Sequence, residues 1–343
     1  MKPWLPEHIT LASGAGGRAM RHLVEHVFLQ DAPEVADGDV GPLAMDDGAA
    51  LRIGERWLVL TTDSYVVKPL FFPGGDIGRL AICGTVNDLA MMGATEVVGL
   101  TCGVIVEEGF ARADLERIQA SMRAACTQAG VRVVTGDTKV MARGELDGLV
   151  LNTAGAALTD RVVRDNGLQP GDKLLLSGTV GEHGMAIAAA RSGMEFQGDL
   201  RSDVAPLGSL VRALLAAGGA DVVALKDPTR GGIASAVHEM AQKSGVGVVL
   251  DGPALPMLPA VRAMAELLGI DPLHVANEGK ALIGVRPWAA HKVLEALREH
   301  PQGRDAAIIG TAHAEHVGQV ILDTGLGRRL LREPEGEPLP RIC

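Results

Sequence analysis

Strand-like and helix-like segments alternate through most of this sequence, and no other feature constrains the fold as strongly. Short apolar runs rich in β-branched residues are typical of strands, whereas apolar residues that recur every three or four positions are typical of amphipathic helices. The pattern predicts strands at 57–67, 95–106, 131–135, 149–158, 173–177, 246–250, 280–285, 306–311 and 317–322. It predicts helices at 77–92, 111–129, 184–191, 204–217, 231–243, 258–268 and 289–299. The fold class that follows is α+β with mixed sheets.

A turn-rich segment near the middle of the chain, DRVVRDNGLQPG at residues 160–171, predicts a domain boundary. The length of 343 residues also fits two domains, at roughly 150 residues for each domain. We expect an N-terminal segment at 1–40, an N-terminal domain at 41–160, a C-terminal domain at 161–330 and a mobile tail at 331–343.

Composition and charge exclude several classes of protein. The net charge of −10 argues against sequence-independent binding of nucleic acid. The sequence has no apolar run long enough for a membrane span and no signal peptide at its start, so we expect a cytoplasmic protein that does not bind membranes. Four cysteines are too few for a disulfide scaffold, and the absence of a CxxC pair argues against a thiolate zinc site.

Aspartates recur where predicted strands end and helices begin. Neighbouring carboxylates repel one another unless a cation lies between them, and Mg²⁺ prefers oxygen ligands that it shares with phosphates. Helix caps and turns would explain any one of these aspartates, but their repetition predicts a magnesium–nucleotide site. The residues are Asp46 and Asp47 in MDDGAA, Asp63 in TTDSY, Asp88 in TVNDLA, Asp137 in TGDTK and Asp227 in KDPTRGG.

Two glycine-rich loops stand before predicted helices, SGAGGR at 13–18 and TRGG at 229–232. Backbone N–H groups at such positions bind phosphate, and the arginine in each loop adds positive charge. Neither loop matches the GxxxxGK[ST] phosphate-binding motif, so each is weak evidence by itself.

The chain ends in a proline-rich segment, LREPEGEPLPRIC, whose last residue is Cys343. Proline favours an extended backbone, and ten residues in that conformation would reach about 30 Å. The other three cysteines lie in apolar or helical segments and are expected to fill the core. A thiol at the end of an extended arm instead suggests a reactive carrier group.

The ordered motifs DDGAA, TTDS, TVNDLAMMGA, TGDTK, DPTRGG and NEGK, followed by a terminal PRIC, resemble the HypE family of nickel–iron hydrogenase maturation proteins. This family belongs to the superfamily of aminoimidazole ribonucleotide synthetase and selenophosphate synthetase. The resemblance covers nearly the whole chain, and the PRIC ending is its most specific part. One departure is Ser13, which stands where the family's HGxGG loop often has histidine.

The resemblance implies a PurM-like fold, in which an N-terminal α/β domain contributes strands to a barrel in a homodimer and an α+β domain follows. It implies ATP-dependent dehydration of a carbamoyl group on the terminal cysteine to a thiocyanate, the source of cyanide ligands for the hydrogenase. ATP and Mg²⁺ would be required. The implied partners are a HypF-type carbamoyltransferase, which loads the cysteine, and the HypC–HypD complex, which receives the cyano group on iron.

The resemblance also implies roles for individual residues. Cys343 would carry the substrate, Glu278 would act as the base, and Lys139 would balance charge or move a proton. Metal ligands would be Asp46, Asp63, Asp88, Asp137 and Asp227. The ATP and phosphate site would comprise these aspartates with Asp47, Asn87, Gly14, Gly16, Gly17, Gly136, Arg230, Gly231 and Gly232.

Two other readings stay open at this point. A small-molecule ATP enzyme such as thiamine-monophosphate kinase would share the aspartate motifs but would not need a terminal thiol. A non-catalytic carrier would present Cys343 to partners, but it would leave the aspartate and glycine motifs without a purpose.

Overall fold

The computed structural model describes residues 7–14, 16–193, 200–335, 338–339 and 341–343. The chain forms two α+β domains, each built around one large mixed sheet, and the first domain also has a two-stranded antiparallel sheet within residues 71–76. The helices are α1 Gly17–Leu23, α2 Ile77–Met91, α3 Arg112–Ala129, α4 Glu182–Ser192, α5 Gly208–Gly218, α6 Gly232–Ser244, α7 Pro259–Leu268 and α8 Ala290–Glu299. The strands of the N-terminal half are β1 Ala49–Ile53, β2 Arg56–Tyr65, β3 Phe71–Phe72, β4 Gly75–Asp76, β5 Glu96–Glu107, β6 Val133–Met141 and β7 Leu149–Thr159. Those of the C-terminal half are β8 Lys173–Leu176, β9 Val222–Lys226, β10 Gly247–Asp251, β11 Leu282–Val285, β12 Ala307–His313, β13 Val320–Asp323 and β14 Arg328–Leu331.

The first sheet has five strands in the order β1-β2-β7-β5-β6, antiparallel except for the β5–β6 pair. Its inner face packs on α2 and α3. Asp76 caps α2 by accepting hydrogen bonds from the N–H groups of Gly78 and Arg79, at 2.8 and 2.9 Å. Helix α2 is buried nearly all round because it lies between the sheet and the second domain.

The outer face of this sheet has no covering element among the described residues. It exposes Leu60, Val98 and Val134, and along the edge strand β6 every side chain before Met141 is exposed. Exposed apolar side chains on one face of a sheet mark an association surface. We call it the open face, defined by the outward side chains of β2, β5, β6 and β7.

The second sheet has seven strands in the order β14-β13-β10-β12-β8-β11-β9. Only β10 and β13 run parallel. Helices α5 and α8 cover one face through a core that includes Leu175, Ile283 and Val293. Helix α6 covers the other face, with Ile233 and Val237 packed on Leu176.

Most predicted elements are present, with shifted ends. The predicted helix at 204–217 begins only at Gly208, because Pro206 disfavours helical backbone in the residue before it. The strand predicted at 131–135 continues to Met141. Strands β1, β3, β4, β9 and β14 were not predicted. Leu331, which was assigned to the tail, is the buried last residue of β14. Among the residues that the structure describes, no helix combines the length and apolar character that crossing a membrane requires.

Candidate active site

A cavity of about 1960 Å³ lies between the two domains and opens toward the open face. The N-terminal domain contributes β2, α2 and the turn before β1, and the C-terminal domain contributes the segment between β9 and α6. The site residues predicted from the sequence that line it are Gly16, Gly17, Asp46, Asp47, Asp63, Asp88, Asp227, Arg230, Glu278 and Cys343.

Four carboxylates of this cavity repel one another. Burial raises the pKa of Asp88 well above its ordinary value, and the charges of Asp227, Asp63 and Asp47 raise it further. Burial, followed by the charge of Asp47, raises the pKa of Asp227 to about 7. Such a cluster of oxygen donors is stabilised when a cation enters it. Within the described part of the chain, no three acidic, imidazole or thiol groups are close enough to hold a metal ion by themselves.

Asp46 has a different environment, because cations occupy both of its oxygens. Arg164 donates to Oδ2, and Nζ of Lys243 lies 3.2 Å from Oδ1. Burial acts to raise the pKa of Asp46, but hydrogen bonds from Arg164 and Asp165 and the charge of Lys243 leave it lowered. The side chain therefore links the turn before β1 to the second domain, and each of its oxygens already has a cationic partner.

A second buried ion pair crosses the domain boundary beside the carboxylates. Nζ of Lys226 lies 2.6 Å from Oδ1 of Asp47 and 3.2 Å from Glu239. Glu239 in turn lies 3.6 Å from Arg21, which also pairs with Glu333 at the base of the tail. Cationic side chains thus lie beside the acidic cluster where it faces the C-terminal domain. The phosphates of a nucleotide bound there would need such positive charge.

The early glycine loop approaches the second domain closely at Gly16. Gly16 has a φ of +75°, and a Cβ atom there would stand 2.7 Å from Cβ of Arg230. Only glycine fits both the conformation and the space. Gly14 has no such constraint, since nothing lies within 4 Å of the Cβ it lacks.

The terminal thiol lies inside the cavity. Nη1 of Arg230 is 3.4 Å from Sγ of Cys343. Burial raises the pKa of the Cys343 thiol to about 12, despite the opposing charge of Arg230. Burial likewise raises the pKa of Glu278 well above its usual range, with the charges of Asp227 and Asp203 adding to it. Oε1 of Glu278 is buried without a hydrogen-bond partner.

The last three residues of the chain are held through their backbone. The carbonyl of Arg341 accepts from the N–H of Lys68 at 3.1 Å, and that of Cys343 accepts from the N–H of Val66 at 3.3 Å. The carbonyl of Ile342 accepts from His183 at 2.6 Å. The side chain of Ile342 is 1% exposed within the core of the first domain, so this end of the tail is docked in the structure.

Seven predicted site residues do not line this cavity: Gly14, Asn87, Gly136, Asp137, Lys139, Gly231 and Gly232. Asn87 binds backbone instead, since its side chain donates to the carbonyls of Ala205 and Glu278 and accepts from the N–H of Leu207. Asp137 and Lys139 are exposed on the edge strand β6.

The two glycines that open α6 have packing roles. A Cβ on Gly232 would stand 2.6 Å from the carbonyl of Val275, and one on Gly231 would stand 2.1 Å from Oγ of Ser235. They allow α6 to approach its neighbours closely, and the adjacent Arg230 carries the charge into the cavity.

The sequence did not indicate Lys226, Lys243, Glu239, Arg21 or His183 as site residues. A weak signal existed for Lys226, which directly precedes Asp227 in KDPTRGG. The others stand in ordinary helical segments, and only the packing of α1, α4 and α6 brings them to the cavity or the tail.

Comparison with known proteins agrees with this architecture. Residues 45–159 match the family model for the AIR synthase related protein, N-terminal domain, and residues 169–323 match the one for the C-terminal domain. The chain is 46% identical over 339 residues to the carbamoyl dehydratase HypE of Rhizobium leguminosarum bv. viciae, covering 98% of this chain and 95% of that protein.

Solved structures give the same result. A HypE–HypF complex contains a chain with 43% identity and a TM-score of 0.84, over 91% of this chain and 99% of that one. A HypE structure in complex with ATP shows 41% identity and a TM-score of 0.81, over 98% and 100%. Thiamine monophosphate kinase from Aquifex aeolicus shares the fold alone, at 18% identity and a TM-score of 0.66 over 89% of this chain and 96% of that one.

The fold and the two matched domains define an AIR synthase related protein. Within that class, the chain belongs to the HypE family of carbamoyl dehydratases, which act in hydrogenase maturation. The family resemblance drawn from the sequence motifs is thereby confirmed.

Proposed function

We propose that this chain converts a carbamoyl group on its own Cys343 into a thiocyanate at the expense of ATP. The observation that carries the proposal is the placement of Sγ of Cys343 in the interdomain cavity, 3.4 Å from Arg230. The acidic cluster and the buried carboxyl of Glu278 line the same cavity.

The reaction balances when ATP takes up the elements of water. The oxygen of the S-carbamoyl group attacks the γ-phosphorus, ADP leaves, and the former amide oxygen becomes part of a phosphate ester. Loss of both N–H protons and of inorganic phosphate then leaves the S–C≡N group. An amide oxygen is a poor leaving group, and phosphorylation makes its departure possible.

Residues of this chain suit each requirement. Arg230 and Lys226 provide positive charge beside the phosphates and the developing negative charge. Glu278 is the candidate base, since its raised pKa makes its carboxylate a strong proton acceptor and Oε1 has no competing partner. Gly16 and Gly17 lie where backbone N–H groups would approach phosphate.

The acidic cluster suits Mg²⁺ in its donor chemistry. Asp63, Asp88 and Asp227 would hold the ion together with phosphate oxygens, since Mg²⁺ commonly takes only a few carboxylates and completes its shell with phosphate and water. Bound there, it would neutralise phosphate charge. Asp46, whose oxygens are already paired with Arg164 and Lys243, is left out of this set.

The partners follow from the chemistry of the tail. Cys343 must leave the cavity to receive a carbamoyl group and to release a cyano group, so we propose that the docked end alternates with a mobile, extended state. A HypF-type carbamoyltransferase would load it and a HypC–HypD complex would unload it, in the cytoplasm, where thiols stay reduced. The HypE–HypF complex among the structural relatives supports the first of these partners.

We further propose that two copies pair through the open face to form a closed barrel. The exposed Val98, Val134 and Val140 support this, and so does the position of Asp137 and Lys139 on the same sheet, outside their own cavity. A paired copy would bring these two side chains to the mouth of its neighbour's site.

Mixing Lys139→Ala chains with Glu278→Gln chains would then restore activity that each variant lacks by itself. If the two inactive variants stayed inactive when mixed, the site would not be shared between copies.

The proposal is tested with carbamoylated chain that has been freed of nucleotide. On addition of MgATP, the intact mass should fall by one water, and a non-hydrolysable ATP analogue should leave it unchanged. A thiamine-monophosphate-kinase-like enzyme or a passive carrier would show no loss of water from Cys343. The terminal thiol in the cavity favours the dehydratase over both alternatives.

A further inference from the structure

His183 lies where the tail enters the site, and no charge or motif in the sequence distinguishes it. It stands in α4 and is fully buried. Its ring packs edge-on against Phe72, with ring centroids 5.5 Å apart. Nε2 lies 2.6 Å from the carbonyl oxygen of Ile342, the peptide group that directly precedes Cys343.

The hydrogen bonds around this ring fix its tautomer. A carbonyl oxygen only accepts, so Nε2 of His183 carries the proton. Nδ1 lies 2.7 Å from Oγ of Ser202 and accepts the hydroxyl proton. Ser202 is itself oriented, since its Oγ accepts from the N–H of Val204 at 3.1 Å and its own N–H donates to the carbonyl of Pro73 at 2.8 Å.

We propose that His183, held as its Nε2–H tautomer by Ser202, is a positioning residue that binds the carbonyl of Ile342 and so sets the place of the Cys343 thiol or its carbamoyl group. His183 contacts the carbonyl of Ile342, the residue directly before Cys343. Arg191 contacts the carbonyl of Arg341, one residue further from the reacting group. Burial lowers the pKa of His183, which keeps the ring neutral and leaves Nδ1 free to accept from Ser202.

This inference rests on the proposed dehydration for its catalytic consequence but not for its docking consequence. Docking is read directly by alkylating Cys343 with iodoacetamide in the nucleotide-free full-length chain. The undocked thiol reacts, and the docked one is shielded. The product is followed on the GEPLPRIC peptide released by cleavage of the Glu335–Gly336 bond, which separates Cys343 from the other three cysteines.

We expect His183→Ala to raise the alkylation rate roughly two- to tenfold, the change in the docked-to-undocked ratio that the loss of one buried hydrogen bond gives. His183→Gln, whose amide can donate at a similar place, should restore most of the shielding. Ser202→Ala should give an intermediate alkylation rate. Without the Ser202 hydroxyl, the ring of His183 can also adopt the Nδ1–H tautomer, which cannot donate from Nε2 to the carbonyl of Ile342. The matched control is His300→Ala, which removes a histidine that also contacts a serine, Ser209, and does not touch the tail.

The same variants are then tested on carbamoylated chain. His183→Ala should form thiocyanate about tenfold more slowly or worse, because a misplaced reacting group loses rate steeply. Its affinity for MgATP should equal that of the wild type, a result that a general loss of structure would not give. Should His183→Ala fail to fold, the graded pair of His183→Gln and Ser202→Ala carries the test.

Wild-type alkylation rates in His183→Ala and Ser202→Ala would overturn the proposal. Equal effects of His183→Ala and His300→Ala would overturn it as well. If the wild-type chain formed no thiocyanate, the dehydration proposal would fail, while the alkylation rates would still decide the role of His183 in docking.

Discussion

Replacing Asp227 by asparagine should stabilise the chain in the absence of nucleotide and deprive it of stabilisation by MgATP. Asp227 is 6% exposed, and burial together with the charge of Asp47 raises its pKa from an ordinary 3.8 to about 7. Each pKa unit corresponds to about 1.36 kcal/mol, so ionised Asp227 weakens the folded state by up to about 4 kcal/mol. Asparagine keeps the shape and removes the charge.

The sign of this effect depends on pH in a defined way. Below pH 3.8 the carboxyl is protonated in both the folded and the unfolded chain, and the charge contributes nothing. Between pH 3.8 and about 7 the unfolded chain loses the proton first, so the folded wild type becomes progressively less favourable. The advantage of Asp227→Asn should therefore grow across this window and stay constant above it.

The assay is chemical or thermal unfolding of wild type and variant at pH 5 and pH 8, with and without MgATP. We expect Asp227→Asn to unfold later than wild type at pH 8 without ligand, and earlier when MgATP is present. The matched control is Asp46→Asn in the same cavity, where the lost ion pairs with Arg164 and Lys243 should cost about 3–5 kcal/mol. If Asp227→Asn were destabilised without ligand, or stabilised by MgATP as much as wild type, Asp227 would be neither a destabilising charge nor part of the nucleotide site.

Four further outcomes are expected. Glu278→Gln should accept the carbamoyl group and bind ATP but make no thiocyanate, as read by intact mass; normal nitrile formation would remove Glu278 from the mechanism. Cys343→Ser should keep the fold and ATP binding but accept no carbamoyl group, because a hydroxyl is a far weaker nucleophile than a thiolate; a carbamoylated variant would show loading elsewhere. Gly16→Ala should lower thiocyanate formation and stability, by about 1–3 kcal/mol, because the new methyl meets Arg230 at a φ of +75°, whereas Gly14→Ala should have no effect; equal behaviour of the two would contradict the close approach. The Mg²⁺ concentration needed for half-maximal activity should rise as pH falls below about 7, since protons then compete for Asp227; a flat requirement from pH 6 to 8 would argue against this carboxylate as a ligand.

Much of the fold could be predicted from periodicity, because the long elements have strong patterns. Helix α3 is amphipathic and ends at Gly130, whose φ of +70° suits glycine. Strands β1, β9 and β14 were missed because they are only four or five residues long, too short for a distinct alternating pattern. Strands β1 and β14 form hairpins with the adjacent β2 and β13, whereas β9 pairs with the distant β11. Edge strands of this length form because a neighbour supplies the hydrogen bonds, which no local pattern records.

The candidate site likewise has one part that the sequence could predict and one part that it could not. Motif order was sufficient to nominate Asp63, Asp88, Asp227 and Arg230, which converge on one cavity in the structure. It could not show that Asp46 and Asp47, adjacent in sequence, bind different cations. That difference arises because Arg164 and the α6 residue Lys243 approach Asp46, whereas Lys226 at the end of β9 approaches Asp47.

The tail, too, could be predicted only in part, because its docking site is made by tertiary packing. The prolines of the terminal segment predict an extended arm, and part of that prediction falls on Pro340, which lies outside the described residues. What the sequence could not indicate is where the arm ends. The docking of Ile342 depends on a buried histidine in α4 and on free N–H groups that follow β2.

In the proposed reaction ATP activates the carbamoyl oxygen of Cys343 by phosphorylation, so the decisive measurement follows the fate of that oxygen. Chain carbamoylated with a heavy-oxygen label should be given unlabelled MgATP in unlabelled water, and the released inorganic phosphate should be analysed by mass. We expect one labelled oxygen in phosphate for each thiocyanate formed. Thiocyanate accompanied by unlabelled phosphate would contradict it, because the oxygen would then have left by another route.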